Sequence, residues 1–256
     1  MAKELFNRND HVCLLFSDLV DDSDSTAVQA NQFLIINHGH GALIDPGGNM
    51  TFNGLTVGMG KFFFYKKLEY IFASHQDPDI VASLNRWMVQ TDCKVLAPSI
   101  WERFLPHFCG VGNTAGRVIG IPDQGMDINL GQCVIKAIPA HFLHSEGNFQ
   151  FYDPTSKILF SGDMGASLVP NDLAGDPVTD FAAHLPFMEP FHRRYMVSNK
   201  VCRYWVNMVR TLDVEWIVPQ HGRSFQGKEM VNSFLNWIEN LPCGIDLLTQ
   251  DNYRIP

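Results

Sequence analysis

Four short segments of this 256-residue sequence share one design: each runs as an apolar strand and ends in side chains able to hold a metal. Tyr70-Ile71-Phe72-Ala73-Ser74 leads into His75-Gln76-Asp77-Pro78-Asp79. Residues 134–139 lead into the stretch that carries His141 and His144. Residues 157–160 lead into Ser161-Gly162-Asp163, and residues 216–219 into Gln220-His221-Gly222. Strand ends fix side chains, and the loops beyond them are where sites are built. A lone histidine after a strand is ordinary; four such ends in one chain suggest convergence. His75-x-Asp77-x-Asp79 is the strongest of them. Alternate residues of an extended segment point the same way, so three ionisable groups there call for a counter-charge or water. The alternative is an Asp-Pro helix cap with an exposed acidic turn.

Apolar runs of strand length recur at residues 13–16, 33–36, 42–44, 70–73, 95–97, 118–121, 134–138, 149–152, 158–160 and 216–218. Most are bounded by Gly, Pro, Asp, Asn or Ser, as strands usually are. Apolar residues at three-to-four spacing predict helices over 79–89, behind a first-turn Pro78, over 191–212 and over 228–241. The stretch 167–186, with Pro170, Gly175 and Pro177, reads as a loop or flap. The mixture is neither strict βαβ alternation nor all-β. It predicts an α/β fold of αββα layering, a sheet sandwich with helices outside. No linker, repeat or low-complexity tract divides residues 1–256, so one domain is expected.

Apolar residues make up 46% and charged residues 18%, a globular composition. The net charge is −8 and the basic residues are scattered, which argues against nucleic acid as a partner. No apolar stretch approaches the roughly 18 residues that span a bilayer. The first ten residues lack the apolar core of a signal peptide. The six cysteines form no CxxC pair. Scattered thiols of this kind read as reduced, and the expectation is a cytoplasmic protein with no membrane contact.

In order, His75-x-Asp77-x-Asp79, His144, Ser161-Gly162-Asp163 and His221-Gly222 resemble the metallo-β-lactamase superfamily. Leu43-Ile44-Asp45-Pro46-Gly47-Gly48 resembles its early strand and turn. The usual hydrolase pattern there is His-x-His-x-Asp-His. Here Asp77 stands at the second His and Ile80 at the last. An acid at the second place is similar to the di-iron domain of flavodiiron proteins. So are Phe142-Leu143-His144-Ser145-Glu146-Gly147, Pro219-Gln220-His221-Gly222 and Phe191-His192-Arg193-Arg194-Tyr195-Met196. Within that branch the chain most resembles the stand-alone oxygen-binding di-iron proteins linked to bacterial chemotaxis. No flavodoxin-like domain follows the metal domain, so no FMN is expected in this chain.

The resemblance implies two iron ions (Fe2+/Fe3+), with zinc or manganese as the alternative, held by His75, Asp77, Asp79, His144, Asp163 and His221. Asp163 would bridge them. Mixed imidazole and carboxylate ligands suit iron or manganese as well as zinc. Three carboxylates against two Fe(II) leave one net positive charge, so oxidation favours an anionic oxygen species. The implied function is binding and reaction with O2. It takes the form of oxygen or iron sensing through a di-ferric peroxo species, or of O2 reduction with an external electron donor. A dinuclear zinc or manganese hydrolase is the alternative. Implied partners are O2, a chemotaxis receptor or an electron-transfer protein, and a second copy of the chain as a homodimer.

Further candidates sit behind the ligands. His141 competes with His144 or supports it, and His192 and Tyr195 approach from a helix start. Ile80 leaves one metal a ligand short and walls it. His184 lies in the flap, with a role near the metals as the lesser alternative. His38 and His40 read as structural, and His11 and His107 as surface residues.

Overall fold

Strands that read as unbroken apolar runs need cover on both faces, and the second strand shows how this chain supplies it. Leu14 and Phe16 face one way, Cys13 and Leu15 the other, and all four are fully buried. The computed structural model describes residues 2–20, 27–110 and 112–255. β1 (Ala2–Arg8), β2 (His11–Phe16), β3 (Gln32–Asn37), β4 (His40–Ile44), β5 (Leu68–Phe72), β6 (Lys94–Pro98) and β7 (Val118–Ile121) form one sheet in sequence order. β1 to β4 run antiparallel and β4 to β7 parallel. Helices α1 (Phe52–Met59), α2 (Pro78–Val81), α3 (Leu84–Gln90) and α4 (Leu105–Phe108) make the crossovers.

The second sheet holds β8 (Met126–Leu130), β9 (Cys133–Pro139), β10 (Phe149–Asp153), β11 (Ile158–Phe160), β12 (Trp216–Val218) and β13 (Phe225–Gln226), in the order β13-β12-β11-β10-β9-β8. β11 and β12 are parallel, joined through α5 (Phe181–Tyr195) and α6 (Asn199–Val209); the other pairs are antiparallel. α7 (Lys228–Glu239) follows β13. Three apolar layers result. Phe33, Ile44, Phe72, Phe149, Phe151 and Phe160 fill the space between the sheets. Leu34, Leu43 and Ile71 pack outward on Phe52, Leu55 and Trp87. Leu159 and Ile217 pack outward on Met188, Trp205 and Phe234. This is the expected αββα sandwich.

Each of the ten expected strands is present, but two expected helices are each split. The helix expected over 79–89 breaks between α2 and α3. Ser83 turns its hydroxyl onto the Pro46 and Gly47 carbonyls (3.0 and 2.6 Å) and its N–H onto Gly47 O, which pulls the chain off the helical path. The helix expected over 191–212 breaks at 196–198, where Val197 donates to Phe142 O and accepts from the Ile245 N–H. The flap expected over 167–186 is helical from Phe181 onward. Asp180 caps that helix through the Ala183 N–H (3.0 Å), and Pro186 and Pro190 lie inside it.

His11 is a second correction, because it is buried rather than on the surface. Its Nε2 lies 2.7 Å from Asp153 Oδ2, tying β2 of one sheet to β10 of the other. Asn37 Oδ1 accepts from the Gln132 N–H (2.6 Å), so its amide nitrogen faces His11 Nδ1 (3.1 Å). Nδ1 is therefore the acceptor and Nε2–H the donor to Asp153. Cys13 Sγ completes this cluster at 3.5 Å, but the fixed tautomer leaves no imidazole lone pair free for a metal. The cluster is a structural tether at the end of the sandwich away from the expected ligands.

Candidate metal centre

At the other end, β4 and β5 stop side by side, and Asp45 organises the turn beyond them. Ser74 donates its N–H to Asp45 Oδ1 (2.8 Å) and its hydroxyl to Oδ2 (3.0 Å). With that proton spent, Ser74 Oγ accepts from His75 Nδ1 (2.9 Å). An imidazole held through Nδ1–H presents Nε2 as its free nitrogen. His75 is 2% exposed, and that Nε2 has no hydrogen-bond partner.

Asp77 occupies the N-cap of α2, with Pro78 at the first helical position, yet its side chain caps nothing. Its carboxylate turns inward instead, 3.4 Å from His144 Nε2 and 3.7 Å from His75 Nε2. Asp79 lies in the first turn of α2, so the three residues do not share one face of an extended strand. Asp79 Oδ2 approaches His221 Nε2 at 3.2 Å. His221 follows β12 and gives its Nδ1 to the Gln29 carbonyl (2.8 Å), which again frees Nε2.

Asp163 sits between the two groups. It follows β11 through Gly162, whose φ of +54° makes the tight turn that glycine permits. Oδ2 is 2.8 Å from His144 Nε2 and 3.7 Å from His75 Nε2, while Oδ1 is 3.5 Å from His221 Nε2 and has no hydrogen bond. His75, Asp77, His144 and Asp163 offer ligand atoms that all lie within 4.8 Å of one another. His192, fully buried, accepts the Gly165 N–H at Nε2 and donates from Nδ1 to Met188 O (both 2.9 Å), so it holds the turn that carries Asp163. Burial pushes its imidazole down to about 4, so it is neutral at pH 7.

Electrostatics identify what the cluster lacks. Burial pushes the His144 and His221 imidazoles down. Hydrogen bonds that His144 donates to Asp163 and Asp77, and that His221 donates to Asp79 beside the charge of Asp163, outweigh it and hold them at about 10 and about 9. His75 is raised in the same way, against its burial, by Asp163 and Asp77. Burial would raise Asp163, but the charge of His75, the hydrogen bond from His144 and the charges of His221 and His144 hold it at about 2. Asp77 is likewise lowered, against its burial, by His144 and His75. Three carboxylates thus draw protons onto three imidazoles. Metal cations would supply that charge directly, and the orphaned Nε2 of His75 and Oδ1 of Asp163 are the atoms they would meet. The donor set of imidazoles and carboxylates fits a metal, which His75, Asp77, His144 and Asp163 would hold.

The remaining candidates fall into place around this core. His141 points away, with Nε2 on the Asp123 carbonyl (2.9 Å), and His144 takes the inward place. The Tyr195 ring lies 5.6 Å from that of His144 and stacks on Phe191 at 4.7 Å. With Val28, Ala166 and Leu168 these rings roof a cavity of about 250 Å3 over the ligands. Ile80 is fully buried among Leu43, Ile71 and Leu84 on the outer face of the first sheet and is absent from that cavity wall. His184 borders a different cavity. His107 is exposed, as expected, and His40 pairs with Glu69. The sequence reading missed the orienting residues Asp45, Ser74 and Gln29. Asp45 at a strand end and Ser74 directly before His75 were the available signs of two of them.

Comparison with known proteins supplies the family. A sequence model described as "ODP family beta lactamase" matches residues 28–222, more than half of the chain. The chain belongs to the ODP family. Two similar solved structures are described as the peroxy diiron species of chemotaxis sensor ODP and the apo state of chemotaxis sensor ODP from T. denticola. They share 40% and 39% identity over 99% of both chains, with TM-scores of 0.86 and 0.84. A flavo di-iron protein variant from Thermotoga maritima, 20% identical over 93% of this chain and 60% of its own, has a TM-score of 0.76 and shows the fold alone. Two Methanocaldococcus jannaschii proteins also match. MJ0732 is 26% identical over 77% of this chain, and MJ0534 is 25% identical over 61%. The chain spans 50% and 38% of their respective lengths. The metallo-β-lactamase fold, read from the ordered motifs, is thereby shown for this ODP-family chain. Among the described residues no helix is long and apolar enough to cross a membrane.

Proposed function

We propose that this chain holds two iron ions through His75, Asp77, Asp79, His144, Asp163 and His221, and that it serves as an oxygen sensor. The observation that carries this reading is Asp163, whose two oxygens face separate ligand groups. Oδ2 faces His75, Asp77 and His144; Oδ1 faces His221, with Asp79 beside it. Iron bound there supplies the redox chemistry that O2 requires. The protein's own part is positional. Ser74 and Gln29 fix two imidazoles through Nδ1, and His192 fixes the Asp163 turn. The rings of Phe191 and Tyr195 with Leu168 cover a space with room for a small ligand such as O2. Sensing is favoured over reduction by the likeness to the chemotaxis sensor over the whole chain. Among the described residues all six cysteines are buried, and none is among the proposed iron ligands. The reading includes a homodimer and a protein partner of the chemotaxis-receptor kind; an external electron donor would be the partner if the protein turned over O2 instead.

The test is anaerobic ferrous protein exposed to air without a reductase. A visible charge-transfer band that persists for minutes supports the sensor. Continuous O2 consumption with added reductant supports a reductase, and a colourless zinc protein would remove the oxygen reading.

A further inference from the structure

A second, mostly apolar cavity adjoins the segment 166–168 that lines the metal centre. Its volume is about 190 Å3, and its walls include Val169, Leu173, Ala183, His184, Phe187 and Arg223. That exceeds the roughly 30 Å3 share of one water molecule and falls below the roughly 300 Å3 at which drug-sized pockets begin. His184 is 3% exposed, and its Nε2 has no partner. Phe187 and Phe225 hold the ring in place, with centroids 6.2 and 6.0 Å away. Arg223 gives Nη2 to the Pro177 carbonyl, but its Nε is buried and equally unpartnered. Asp180, at the rim, already caps α5 through the Ala183 N–H. Nearly all buried polar groups in native proteins are hydrogen-bonded, so two orphans on one small cavity call for an occupant.

We propose that this cavity is a binding site for a small aliphatic monocarboxylate, held by Arg223 and His184 with its short chain against Val169, Leu173, Ala183 and Phe187. Two N–H donors match two carboxylate oxygens. Burial and the Arg223 charge keep the His184 imidazole neutral, near 4, so it acts as a single N–H donor beside the one cation. Phosphate fits less well: much of the wall (Val169, Leu173, Ala183, Phe187) is apolar, and Asp180 at the rim would repel a dianion. The site is also wired to the metal loop. Arg223 N–H donates to Ser167 Oγ (3.2 Å), and Ser167 N–H donates to the His221 carbonyl (3.1 Å).

The test is calorimetric titration of the metal-loaded full chain with sodium propionate and, separately, inorganic phosphate. Two variants accompany the wild type. Arg223→Gln removes the charge. Ala183→Leu fills the cavity from an exposed helical position, where leucine keeps the helix. The expected result is one propionate per chain, bound at least tenfold more weakly by Arg223→Gln and not at all by Ala183→Leu. Absence of propionate binding to wild type at about 50 mM would overturn the proposal. Unchanged binding in folded Ala183→Leu, or phosphate binding tighter than propionate, would do the same. If Arg223→Gln fails to fold, Ala183→Leu decides alone.

Discussion

Loading the stripped protein with metal should expel protons, and the imidazoles set how many. Without metal, His144 titrates at about 10 and His221 at about 9, and His75 is raised as well. His144 and His221 stand far enough above the ordinary imidazole value that their Nε2 atoms carry protons at pH 7.5, and His75 is shifted in the same direction. Each must lose that proton to become a ligand. His144 and His221 alone account for about two protons per fully loaded chain between pH 7 and 8, and His75 adds up to a third. Each released proton steepens the apparent affinity about tenfold per pH unit. The combined affinity for both ions should therefore climb about a hundredfold per pH unit and level off above about pH 10, where the imidazoles are already neutral. The sign comes from competition: acid favours the protonated cluster, base the metal. Anaerobic calorimetry with ferrous ion in two buffers of different ionisation heat gives the proton count directly. Release of fewer than one proton, or an affinity flat across this range, would refute the electrostatic account of the cluster.

Other substitutions test the supports separately. Ser74→Ala removes the acceptor that orients His75 and should weaken metal binding by about 10- to 100-fold in competition with a chelator, with the fold intact. Ile80→His should leave metal content unchanged and cost about 1–3 kcal/mol in urea unfolding, because Ile80 faces the apolar layer under α2 rather than the metals. Asp153→Asn breaks the buried pair with His11 and should destabilise by about 3–5 kcal/mol; retained metal in that variant would confirm the tether as separate from the centre.

The sandwich was legible because its central strands are apolar on both faces and lie between clear turn residues. β1 was not legible. Ala-Lys-Glu-Leu-Phe-Asn-Arg is an edge strand that is half exposed and lacks an apolar run. β13 has only two residues, too few for any period to show. The helix splits at Ser83 and Val197 depend on hydrogen bonds to residues distant in sequence, at Pro46, Gly47, Phe142 and Ile245, which no local pattern records. The six proposed ligands could be singled out because each lies at or just beyond a strand end. The shared-face argument for Asp79 failed: Pro78 starts a helix there, and the turn swings Asp79 towards His221. His11 misled because a histidine beside a polar turn looks solvated until its partner across the sheets is seen.

The central claim is that Asp163 joins two metal sites. Iron content per chain, measured by mass spectrometry after anaerobic reconstitution of wild type and Asp163→Asn, tests it most directly. The account predicts close to two iron ions in the wild type and close to one or fewer in the variant. Two tightly held ions in Asp163→Asn, or one in the wild type, would contradict it.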